Sequence, residues 1–149
     1  MDTVTYPQAA VDDAVNAFCI PVKLDITEAA AAPILQRYRH IWTPDLRLLD
    51  TDGTELYRWD GYLPPFEFAP RLLTGVGQAR LRQKDFAAAI DAYGDAVTRF
   101  PTALAAPEAQ YYLAVSRYRQ SHESSDLLKA WHELEKAYPY SEWTVKQNF

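Results

Sequence analysis

HIWTPDLRLLDTDGTELYRW, residues 40–59, decides how the chain is built. Leu46 and Leu48 alternate with Arg47, the period of a half-buried strand. Asp50-Thr51-Asp52-Gly53 then supplies a turn in which glycine can take a positive φ, and Thr54 to Trp59 resumes the alternation. The pattern predicts a hairpin of residues 46–50 and 54–59, with Pro44 at its mouth, where a missing N–H costs the ladder nothing. The Asp50-x-Asp52-Gly53 spacing could open a calcium loop, but the later ligands of such a loop are missing, so a plain turn is expected.

On the N-terminal side, QAAVDDAVNAF (8–18) carries apolar residues at 10, 11, 14, 15 and 18, a helical stripe, with Pro7 in the first turn. CIPVKLDI (19–26) reads as a third strand, alternating around Lys23, with Pro21 confining its start to an edge. Asp25 and Glu28 have capping-box spacing. Pro33 interrupts AAAAPILQRYR, so a helix either begins near it or kinks there.

On the C-terminal side the texture changes after GYLPP (61–65). Four helices are expected over 66–83, 85–100, 106–120 and 124–138, punctuated by Asp85, Pro101, residues 120–122 and Pro139. This half repeats itself: Ala89, Tyr93, Ala96 and Pro101 return 38 residues later as Leu127, Trp131, Leu134 and Pro139. Gly77 and Phe86 complete the spacing G-x8-F-x2-A-x3-Y-x2-A-x4-P in the first copy; Val115 and Ser124 replace them in the second. The pattern resembles the tetratricopeptide repeat, in which a small residue lets two helices approach and a large ring fills the space beside it. Two copies are fewer than a free-standing array needs, so they should lean on the first half, with Tyr93 and Trp131 in the core.

Residues 4–73 carry a second resemblance. PVKLDI, then RYRHIWTPDLRLLDTDGTELYRWDGYLPPFEF, with Tyr38 six residues before Pro44, is similar to the second half of the thioredoxin fold. The resemblance implies a cis Thr43–Pro44 bond that presents the Thr43 backbone to an extended peptide. It also implies a first strand and a Cys-x-x-Cys pair, where this sequence has MDTVTYPQAAV and a single cysteine. Dithiol exchange within the chain is thus excluded by counting, unless a start further upstream restores the motif. The lost strand would leave a gap in the sheet. Residues 21–26 could pair directly with 46–49, residues 3–6 could fill the slot, or a second chain could supply the contact.

The expected fold class is therefore α+β. A truncated thioredoxin-like domain with a three-strand sheet (1–65) precedes tetratricopeptide-like helices (66–149), the closing helix of the first merging into the second.

At 149 residues, with 15 basic against 20 acidic residues, the chain is one domain or two small ones sharing a core. Its net charge of −5 disfavours nucleic acid, and Arg80, Arg82 and Lys84 beside Asp85 read as a solvated helix end. No apolar run approaches the roughly 20 residues that span a bilayer, and no export signal is evident, so a cytoplasmic location is expected. No metal or cofactor is expected; His122 and His132 lack ligand spacing. His40 could act as a base, but the sequence places neither nucleophile nor carboxylate beside it. Cys19 reads as an inert thiol and as the one candidate for a reactive one. Trp42, Thr43, Pro44, Trp59 and Tyr62 are the expected partner-binding residues, with Phe66 in the same aromatic group. The function expected is non-catalytic protein or peptide binding, as an adaptor or assembly module and a homodimer. The alternative is a thiol–disulfide oxidoreductase acting through Cys19 or through cysteines lost upstream.

Overall fold

The hairpin forms where its alternation puts it. In the computed structural model, which describes residues 1–147, β1 (Asp45–Leu49) runs antiparallel to β2 (Glu55–Asp60). Gly53 takes φ 80° in the turn, where Asp50 N–H donates to Thr54 O at 2.8 Å. The register sets Leu46 opposite Trp59 and Leu48 opposite Tyr57, so these four share one face, and that face lies on α3 (Pro65–Arg82). Gly75 permits the contact: a Cβ there would stand 2.6 Å from the Tyr57 ring and 3.0 Å from Leu48.

The sheet has two strands, not three. Residues 20–26 form no strand; Ile20 and Val22 are 92% and 88% exposed. A strand exists only with a neighbour to bond, and local alternation cannot supply one. Residues 3–6 do not fill the slot either: they form a turn whose Thr5 is buried and donates to Leu63 O at 2.8 Å. The expected capping box is absent as well. Asp25 accepts the N–H and hydroxyl of Thr27 in a local turn, ahead of a single 3₁₀ turn, Ala29–Ala31. Pro33 sits in the first turn of α2 (Ala32–Arg37), which settles start against kink.

Four long helices follow as expected: α3, α4 (Phe86–Arg99), α5 (Ala106–Ser121) and α6 (Ser124–Ala137). The short α7 (Glu142–Lys146), capped by the Ser141 hydroxyl, was not foreseen. Each long helix packs on the next in sequence, and α3 also touches α5. Gly77 faces Tyr93, whose ring atoms would lie 2.5–2.7 Å from a Cβ at that position. The ring filling the gap is therefore Tyr93; Phe86 is only half-buried, under the Arg119 guanidinium. In the second hairpin Leu134 is buried, but Trp131 is only partly so, stacked on Tyr111.

α3 is the spine. One face joins Val11 and Ala14 of α1 (Ala9–Phe18) and the hairpin to Phe68, Leu72 and Val76. The other places Leu73 among Ala89, Tyr93, Ala96, Ala109 and Leu113. Arg71 ties the layers together, donating to Glu108 at 2.8 Å and to the Tyr57 hydroxyl at 3.1 Å. Burial pushes Glu108 above the ordinary carboxylate value, and the Arg71 charge only partly offsets it. Among the described residues, no helix is long and apolar enough to cross a membrane.

Candidate protein-binding surface

The open side of the hairpin follows from its hydrogen bonds. Gly61 N–H donates to Pro44 O at 2.8 Å, so the bonded pairs run 44/61, 46/59 and 48/57. The N–H and C=O groups of Asp45 and Arg47 therefore point away from β2, along an edge that no other strand pairs. The Thr43–Pro44 bond at the head of this edge is cis.

The expected binding residues divide. Trp42 (67% exposed), Thr43 and Tyr62 (56% exposed) flank the Pro44–Gly61 bond at the mouth of the hairpin, and Pro44 is half-buried. Trp59 belongs instead to the core, its ring 5.9 Å from Phe68 and 6.0 Å from Tyr57. The alternation of β2 could have shown this, because Trp59 and Tyr57 share the face of Leu46 and Leu48. Phe66 is exposed, at a shallow cavity of about 260 Å³ between the start of α3 and the loop after α4.

Sequence reasoning missed the surroundings of His40. Its Nδ1 lies 3.2 Å from Asp45 Oδ2, and its Nε2 lies 3.3 Å from Thr43 Oγ1. Hydroxyl, imidazole and carboxylate thus stand in the order of a nucleophile relay. The five-residue spacing from His40 to Asp45 was the available signal. Two features argue against catalysis. Asp45 is already held by the Arg47 guanidinium through bonds of 2.7 Å to each oxygen, and Thr43 is open to solvent, with nothing to exclude water. Burial raises the Asp45 carboxyl, but Arg47 and then His40 outweigh it and hold it below its ordinary value. The cluster orders the bend that leads into β1. Arg47 also reaches Glu55 and lies over the Tyr38 ring, while the Tyr38 hydroxyl donates to Gly53 O at 2.8 Å. This covers the second face of the hairpin.

Cys19 is a free, partly buried thiol, and burial pushes its pKa up, away from the thiolate needed for exchange. Among the described residues, no group of three or more His, Cys, Asp or Glu could hold a metal.

No family model matches the chain, and no curated protein matches it. The surface therefore has to be read from its own chemistry: a backbone edge that no strand pairs among the described residues, two exposed aromatic rings near its head, and a run of exposed aliphatic side chains at Ile20, Val22, Leu24 and Ile26.

Proposed function

We propose that the chain is a non-catalytic protein- and peptide-binding module, an adaptor or assembly part of the cytoplasm, that takes an extended segment along the open edge of β1. The observation that carries this reading is the unpaired edge at Asp45 and Arg47. A backbone edge of this kind takes an added strand through main-chain bonds, and neighbouring side chains supply preference. Trp42 and Tyr62 are the anchors at its head, since large exposed rings dominate such interfaces. The thioredoxin-like half without a cysteine pair and the tetratricopeptide-like helices both suit capture of extended chains; that support is by analogy. The oxidoreductase reading through Cys19 is less favoured, because burial pushes that thiol further above its ordinary value, away from the thiolate.

The test is fluorescence polarisation of the full chain with extended peptides that alternate aliphatic and charged residues. Binding is expected, with loss when alternate peptide nitrogens are methylated, since methylation removes the donors that strand addition uses. Trp42→Ala should weaken binding roughly tenfold. Equal binding of methylated peptides refutes the reading, and so does the absence of binding by every peptide at concentrations where the chain is monomeric.

A further inference from the structure

We propose that the resident partner of the β1 edge is a second copy of this chain, which lays its residues 22–26 beside Asp45 and Arg47 in parallel register. The inference rests on the open-edge reading above and names the occupant. Both halves of the contact are present in one chain: an edge with unpaired N–H and C=O groups, and an unpaired segment whose aliphatic side chains face solvent. Neither residues 20–26 nor residues 3–6 of the same copy fill the edge.

The register follows from chemistry. With Val22-Lys23-Leu24-Asp25-Ile26 alongside Pro44-Asp45-Leu46-Arg47-Leu48, aliphatic residues meet on the α3 face, Lys23 meets Asp45 and Asp25 meets Arg47. The antiparallel alignment centred on the same residues would set Lys23 beside Arg47 and Asp25 beside Asp45, which repel. In a parallel ladder, each edge residue bonds the neighbours of the residue aligned with it. Asp45 and Arg47 therefore need acceptors at Val22 and Leu24 and donors at Leu24 and Ile26. Pro21, which has no N–H, falls outside that set. On the segment, Lys23 and Asp25 hold only surface contacts, with Asp2 and Thr27, which are readily exchanged; on the edge, Asp45 and Arg47 stay bonded to each other, with His40 and Glu55 beside them, and the incoming charges extend that network. Reciprocal exchange, each copy's segment on the other's β1 edge, closes at two chains.

Sedimentation velocity across a wide concentration series should show a species of twice the 17.0 kDa chain. Hydrogen exchange should show the amides of Asp45, Arg47, Leu24 and Ile26 gaining protection as that species forms. Leu24→Pro removes one required donor from an exposed segment that makes no strand in the monomer, and it should give monomer with unchanged circular dichroism. Asp25→Arg should weaken association roughly five- to tenfold, since the repulsion enters twice. A wild type that stays monomeric, a dimer that survives Leu24→Pro, or edge amides that exchange equally fast in the dimer would overturn the proposal. Failure of the underlying reading looks different: the Leu24→Pro monomer still has its edge open, and if no extended peptide binds it, the edge is not a docking site at all.

Discussion

Replacing Gly77 by alanine tests the junction on which the helical half is built. A Cβ at this position would lie 2.5 Å from Tyr93 Cε1 and 2.7 Å from Cδ1 and Cζ. Tyr93 is fully buried and stacked on Tyr112 at 6.0 Å, so its ring cannot swing aside as the end of a flexible chain could. Forcing a methyl group into such a place costs about 1–3 kcal/mol, toward the upper end when three ring atoms are struck. Alanine in a helix interior returns about 1 kcal/mol of propensity. The net expectation is a loss of about 1–2 kcal/mol, which for a chain of this size lowers the melting temperature by about 2–8 °C. Thermal and urea unfolding followed by circular dichroism measure it. A second arm makes the cause visible. In a Tyr93→Leu background the ring is gone, so the same alanine should cost less than in the wild type, by about 1 kcal/mol or more of coupling. Gly77→Ala as stable as the wild type, or equally costly in both backgrounds, would show that the glycine is not there to admit the ring.

The two hairpin tryptophans should respond oppositely: Trp42→Ala should leave stability within about 0.5 kcal/mol, while Trp59→Ala, which empties a core site, should cost about 2–4 kcal/mol by urea unfolding. Acidification should loosen the bend at His40–Asp45. The Asp45 carboxyl is held below its ordinary value of 3.8 in the fold, so its contribution is complete above that pH and is lost as pH falls through the lower folded value. Hydrogen exchange at the start of β1 should report this loss, and Asp45→Asn should start less stable and respond less to acid. Native Cys19 should react with a disulfide reagent far more slowly than in urea, and Cys19→Ser should leave any insulin-reducing activity unchanged; a fast native reaction would reopen the redox reading.

Much of the fold was legible because it is written in local periods. The helices over 66–138 show as apolar stripes broken by proline and capping residues, but the repeat spacing assigned the gap beside Gly77 to Phe86, and the fold fills it with Tyr93. The hairpin shows because alternation and an Asp-Gly turn act within twenty residues. CIPVKLDI has as good an alternation as either real strand and yet is none, since strand formation depends on a neighbour's backbone groups, which no local pattern encodes. The alternation of β2 already marks Trp59 for the face on α3, whereas Trp42 lies outside the paired strands and only the folded chain shows it exposed. His40 was read as isolated because the path of the chain between residues 40 and 45 decides which side chains meet.

The linear order of residues was thus enough for the four long helices, the hairpin and the count of a single cysteine, all consequences of short-range spacing and counting. Only the folded chain decided that, among the described residues, the sheet stops at two strands and its outer edges have no strand beside them. The reason is physical: helices satisfy their backbone groups internally, whereas a sheet must find its partners elsewhere.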